Sequence, residues 1–240
     1  MPVDLPALLA AAAVTVVGSA LQGTIGFGFA VLAVPAFSLI DPVLAPVPVL
    51  LLAFPMTAAI AWRDRHGLDT RSVGWVLAGR LPGAALGTWL LLVVDDTTLT
   101  VVVAAFVLGA AAIIATGVHV QRTPVTSLVA GAASATASLV ASIGGPPLAL
   151  VYRSSEGPTI RASLSFVFVF GIILSVTIRI VIGEIADTDW QVAGLLLPAM
   201  GIGLWSSRFL TGRVEGAPLR AAILVVSALA AVGVLVRTLA

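Results

Sequence analysis

The chain contains no cysteine and no lysine among its 240 residues, and only 10% of them are charged. Without cysteine there are no disulfides, no thiolate metal sites and no cysteine nucleophile. A soluble domain carries roughly 25% charged residues. Here 60% are hydrophobic and the mean hydropathy is +1.16, which defines an integral membrane protein with no room for a separate soluble domain. Acidic residues are missing from the centre of every apolar run: Asp95, Asp96, Glu156 and Glu184 all stand at run ends. Proton-coupled carriers generally place a carboxylate inside the membrane. Histidine is limited to His66 and His119, in loops beside arginines, and both read as solvated. No metal site and no cofactor is expected, and nothing suggests a nucleic-acid partner. Met1-Pro2-Val3-Asp4 lacks the basic start of a cleavable signal peptide, so the first apolar run is expected to persist.

What remains is a series of apolar runs. About 20 apolar residues cross the hydrocarbon core as a helix. Six stretches fit as simple spans: Leu44–Trp62, Val73–Val94, Leu99–Val118, Ala162–Gly183, Trp190–Leu210 and Ala217–Val236. Two others, Leu5–Ile40 and Val125–Tyr152, are 36 and 28 residues long and are interrupted near their centres. Their interruptions are Gln22-Gly23-Thr24-Ile25-Gly26-Phe27-Gly28 and Ser142-Ile143-Gly144-Gly145-Pro146-Pro147. Each run reads as two shorter helices meeting at the motif, either a re-entrant hairpin or two short crossings. Irregular backbone at this depth must be satisfied by protein or by a water-filled cavity. Paired interruptions in the two halves of a transporter point to its substrate site.

The arginines discriminate between topologies. If each long run returns to its starting side, ten of the twelve basic residues share one side, leaving Arg179 and Arg237. If each run crosses once, the split is seven to five. The positive-inside rule selects the returning runs and places both termini outside the cytoplasm.

Two halves, 1–122 and 123–240, are expected. Leu81-Pro82-Gly83-Ala84-Ala85-Leu86-Gly87-Thr88-Trp89 matches Leu197-Pro198-Ala199-Met200-Gly201-Ile202-Gly203-Leu204-Trp205 at four of nine positions, 116 residues apart. An offset of 118 superposes Ile25-Gly26 on Ile143-Gly144. The Arg63–Arg71 loop corresponds to acidic Glu184–Asp189, and Asp95–Asp96 to the Arg208–Arg220 segment. Opposite charge at equivalent loops is what inverted halves require. The expected fold is therefore an all-α integral membrane protein of two inverted-topology repeats. It has about 8–10 membrane helical segments, with a broken or re-entrant helix pair opening each half.

The run from Gly23 to Phe29, the Arg63-Asp64-Arg65-His66-Gly67-Leu68-Asp69 loop, Leu-Pro-x4-Gly-x-Trp in each half and Ile143-Gly144-Gly145-Pro146 together resemble the TauE/SafE family of bacterial permeases. The resemblance covers nearly the whole chain. It implies export of a small sulfite- or sulfonate-like anion across the inner membrane by alternating access, with the lipid bilayer and the anion as partners. A homo-oligomer is compatible with it. The second motif lacks the Gly-x-Gly alternation of the first, which implies unequal contributions to any shared site.

Helix N-termini offer free N–H groups and partial positive charge to oxyanions. The candidate substrate-binding residues are Gln22, Gly23, Thr24, Gly26 and Gly28 in the first motif. In the second they are Ser138, Ser142, Gly144, Gly145 and Pro146, and Arg80 is a candidate counter-charge. The competing reading is that the glycines only permit close helix packing and that Arg80 snorkels to an interface. Gly18 and Gly171 read as packing glycines, as do Gly79, Gly83 and Gly87 with Ala199 and Gly203. Pro82 and Pro198 read as kinks, Trp89 and Trp205 as structural residues, and Arg179 as an interfacial anchor. A passive anion channel is the nearest alternative. An intramembrane enzyme lacks its nucleophile–histidine pair or membrane carboxylates, and a non-transporting membrane factor is the remaining class.

Overall fold

The computed structural model describes residues 3–95, 98, 101, 120–152 and 155–211. These contain eight α-helices and no strand: α1 (Leu5–Ile25), α2 (Phe29–Ile40), α3 (Val47–Arg63), α4 (Thr70–Val93), α5 (Pro124–Ala141), α6 (Gly145–Tyr152), α7 (Gly157–Val181) and α8 (Asp187–Leu210). Five helical segments, Leu5–Ile25, Pro42–Arg63, Thr70–Val93, Gly157–Val181 and Asp187–Leu210, are long and apolar enough to cross a membrane. The expected spans at 99–118 and 217–236 lie outside the described residues, as do Arg153 and His119.

Both long runs break where expected. Helix α1 ends at Gly26, whose φ of 92° is left-handed, and α2 is preceded by Gly28 at φ 118°. These are conformations that a side chain strains, so glycine is required at both. In the second run the left-handed position is taken by Ser142 at φ 59°, whose Oγ donates to the Pro46 carbonyl at 3.0 Å. The structure corrects the sequence register. Gly26 corresponds to Ser142 and Gly28 to Gly144, because α1 and α5 end at Ile25 and Ala141 and α2 and α6 start at Phe29 and Gly145. The offset is 116 throughout, and the superposition of the two Ile-Gly pairs is two residues out.

After each break the chain doubles back. A Cβ on Gly18 would lie 3.6 Å from the Phe29 Cα, two turns before the end of α1. Ser134 Oγ donates to the Gly144 carbonyl at 2.7 Å, two turns before the end of α5. The second run also closes on itself, since Arg122 donates to Ser155 Oγ at 2.8 Å and lies over the Tyr152 ring. The paired helices are unequal, however. Helix α1 has 21 residues and is a full span, against 12 in α2, and α5 has 18 against 8 in α6.

Connectivity then gives the bundle two chemically distinct ends. The ends of α3 and α8 and the starts of α4, α5 and α7 carry Arg63, Arg208, Arg71, Arg122 and Arg161. The opposite end carries Asp4, Asp41, Asp95, Glu184, Asp187 and Asp189. Arg179 is the described arginine at that acidic end, and it is 2% exposed, so it is a buried residue and no interfacial anchor. All five tryptophans are exposed on the bundle's outer surface. Trp75 and Trp89 on α4 are separated by ~21 Å of helix at 1.5 Å per residue.

Small residues set the helix contacts. A Cβ at Gly79 or Gly83 would overlap the carbonyl oxygens of Leu128 or Ala132, and one at Gly203 that of Val16. Backbones touch there, as Cα–H···O contacts between membrane helices require. Thr136 Oγ1 adds a hydrogen bond to the Gly83 carbonyl at 2.9 Å. Helix α4 thus runs alongside α5, and α8 alongside α1. Two apolar clusters result: one joins α1, α2, α3 and α8, the other α4, α5, α6 and α7, with Phe168 of α7 packed against both.

These contacts make a contrast testable. Gly83→Leu should destabilise by more than the about 1–3 kcal/mol typical of an overpacked core, because the obstruction is backbone. Gly201→Leu, with open space at its Cβ, should be neutral. Thermal unfolding in detergent followed by size-exclusion chromatography reads the difference, and equal behaviour of the two variants would refute the packing.

Candidate anion site at the helix breaks

The structure brings the two breaks together, though not as mirror images in height. Phe27 of the first lies against Gly145 of the second, with the ring 3.4 Å from where a Gly145 Cβ would be. The tip of the first break belongs to the arginine end of the bundle, and the tip of the second to the acidic end. The segments that follow, Gly28–Phe29 and Gly144–Gly145, return toward the middle of their own first helices.

Several candidate residues take part in holding the backbone. Gln22 Oε1 accepts from the Phe29 N–H at 3.1 Å and caps α2. Thr24 Oγ1 donates to the Ala20 carbonyl at 2.7 Å, within its own helix. Gly23 is a contact residue, its Cα packed on Ser207. Its carbonyl accepts from Arg63 Nη2 at 2.6 Å. Ser142 is committed to Pro46 as described, and Ser138 is buried behind Gly144, with its Cβ 3.1 Å from where a Gly144 Cβ would be. Gly26 is a poor place to test transport by adding bulk. Its φ is positive and a Cβ would lie 2.9 Å from the Arg161 Cα, so substitution strains the fold itself.

The two helix N-termini are chemically unequal. In α2, Phe29 is capped by Gln22, but the N–H groups of Ala30 and Val31 in the first turn have no intrahelical partner to reach. In α6 the first turn is Gly145-Pro146-Pro147, and proline has no N–H. Pro146 therefore contributes shape and no donor, so the two N-termini differ in what they can offer.

A cation stands where those donors are missing. Arg80, in the middle of α4, is 3% exposed. Its Nη1 donates to Ser134 Oγ at 3.0 Å, and Ser134 passes the contact to the Gly144 carbonyl. Its Nε has no partner. The guanidinium occupies the space beside Gly171 of α7, where a Cβ would overlap it. Gly171 is thus an arginine slot, beyond simple helix packing. No Asp or Glu occurs within α4, α5, α6 or α7, the helices around this group. Arg80 does not snorkel; it is a buried cation without a carboxylate among the described residues. An unpaired buried charge is costly, and an incoming anion relieves it.

Sequence reasoning missed Ser134, although Ser134, Ser138 and Ser142 recur every four residues and so share one face of α5. It also missed a second set of cations. Arg63 and Arg161 both engage the C-terminal carbonyls of α1, at Gly23 (2.6 Å) and Thr24 (3.3 Å), and both bind Asp64, at 3.0 and 2.9 Å. Arg179 engages the C-terminal carbonyls of α5, at Leu139 and Val140. Cations at helix C-termini contribute about 0.3–2 kcal/mol each, the higher values where they are partly buried. Among the described residues no group of three or more His, Cys, Asp or Glu could hold a metal.

The Arg80–Gly171 contact predicts a specific coupling. Gly171→Ala should lower stability in the native background and lower it much less in Arg80→Ala, as a double-mutant cycle on thermal unfolding would register. Equal losses in the two backgrounds would refute the slot.

A comparison with protein families finds one description, sulfite exporter TauE/SafE, matching residues 10–234. No curated protein and no solved structure matches the chain. Five span-length apolar helices make it a multi-pass membrane protein. With the match covering nearly all of its length, the chain belongs to the TauE/SafE sulfite exporter family.

Proposed function

We propose that this transporter exports a small monoanion, sulfite in its hydrogensulfite form or a sulfonate, across the bacterial inner membrane by alternating access at the site between the two breaks. The observation that carries the reading is Arg80: a buried guanidinium with a free Nε, tied through Ser134 to Gly144, on helices without a carboxylate. The anion sits between this cation and the open first turn of α2, with Gly28 allowing close approach on one side and Gly144 and Gly145 on the other. One buried positive charge neutralises one negative charge, so a dianion leaves an uncompensated charge away from water, at high cost.

Two inverted halves, 1–122 and 123–240, underlie the mechanism. The 116-residue spacing of the helix ends that flank the two breaks supports this reading. So does helix direction: α1, α3 and α8 run toward the arginine end, and their counterparts α5, α7 and α4 run away from it. The arginine end is cytoplasmic, with both termini outside, as the positive-inside rule requires. The membrane potential then assists export by about 2.3 kcal/mol per charge per 100 mV, with no buried proton carrier.

Counterflow and net flux in proteoliposomes test the reading with sulfite, small sulfonates, small carboxylates and sulfate. Saturable counterflow of monoanions is expected, with sulfate poor. Arg80→Gln should weaken apparent affinity roughly ten- to hundredfold, as loss of a charge-assisted hydrogen bond of about 1.5–3 kcal/mol implies. Unsaturable flux would instead mean a channel. Strong dependence on a pH gradient at zero potential would refute the uncoupled mechanism.

A further inference from the structure

We infer that Arg63 and Arg179 are paired positioning residues: two competing latches, one at each end of the bundle, whose alternate release decides which end opens. The two arginines are 116 residues apart, and so are the carbonyls they hold, Gly23 and Leu139. Each stands in the last turn of its own helix, α3 or α7, and each clamps the tip of the broken helix pair that precedes that helix in the chain.

The geometry that makes the latches compete lies in α3 and α7. Helix α3 begins at the second break, where the Pro46 carbonyl accepts from Ser142 at 3.0 Å, and ends at the first, where Arg63 holds Gly23 at 2.6 Å. Helix α7 begins at the first break, where Arg161 holds Thr24 at 3.3 Å and its backbone abuts Gly26, and ends at the second with Arg179. Two helices packed against each other therefore each touch both tips, at opposite ends. A tilt of that pair that frees one tip presses the other, which is the reciprocal behaviour a two-sided gate needs.

The latches differ in strength in this conformation. At the arginine end, Arg63 also donates to Ser207 Oγ at 3.2 Å, and Asp64 ties Arg63 to Arg161. At the acidic end Arg179 has, among the described residues, Glu184 at 3.8 Å besides its two carbonyls, and its Nε has no partner among them. The weaker clamp opens first, so the acidic end is the readier to open.

This inference rests on the alternating-access reading, but its test needs no substrate. The native chain is free of cysteine, so Ile25→Cys and Ile143→Cys report on the two tips separately. Labelling by a membrane-impermeant thiol reagent is measured in vesicles of both orientations, in the parent and with Arg63→Gln or Arg179→Gln. The expected result is reciprocal. Arg63→Gln raises labelling at position 25 severalfold from the arginine end and lowers it at 143 from the acidic end, and Arg179→Gln does the opposite. Arg63→Lys and Arg179→Lys, which keep a cationic donor, should shift labelling in the same directions by less, and they serve where a glutamine variant does not accumulate. Increased labelling at both tips, or no change at either, would reduce the arginines to fold stabilisers and overturn the latch. Reciprocal labelling in a protein that moves no tested anion would leave the latch standing and refute only the substrate assignment.

Discussion

A helix end buried within a bundle leaves its last carbonyls without hydrogen-bond partners, and away from water only protein can supply them. This bundle answers with arginine. Arg63 and Arg161 serve the end of α1, and Arg179 serves the end of α5. The rest of the architecture follows from placing those cations. Helices α3 and α7 must end or begin beside the breaks to deliver them, which sets their direction and their mutual packing. The small-residue seams of α4 on α5 and α8 on α1 then bring the remaining backbones close enough to enclose the breaks.

The same constraint separates structural from functional charge. Arg63, Arg161 and Arg179 have carbonyl and carboxylate partners, so their positive charge is already used. Arg80 has a serine and an unpartnered Nε, and its helices supply no acid. A site built on one uncommitted cation and one open helix N-terminus is suited to a small anion. It is asymmetric because Pro146 and Pro147 remove the donors that the second break would otherwise offer.

Much was legible in the residues themselves. Composition and run length settle membrane class, since no water-soluble chain is 60% hydrophobic and 10% charged with a mean hydropathy of +1.16. Glycines 26 and 28 mark a reversal because glycine adopts positive φ at little cost. Arginine asymmetry predicted that the long runs return, and Arg122 bonded to Ser155 agrees. The i+4 glycines of α4 announced a close seam.

What the sequence could not decide was which polar atom satisfies which. Gln22, Thr24 and Ser142 each make a hydrogen bond to backbone, and for Gln22 and Ser142 the partner is one that only the tertiary arrangement brings near. The register of the second break was misread for a related reason: Ser142 can take the left-handed position that glycine takes in the first, supported by the Pro46 carbonyl from another helix. Composition and periodicity are local properties and determine helices, breaks and sidedness. Burial of Arg80 against Gly171, and the capture of helix ends by Arg63 and Arg179, join residues 40 to 91 positions apart in the chain. Only packing, which pairs atoms regardless of chain distance, can decide these.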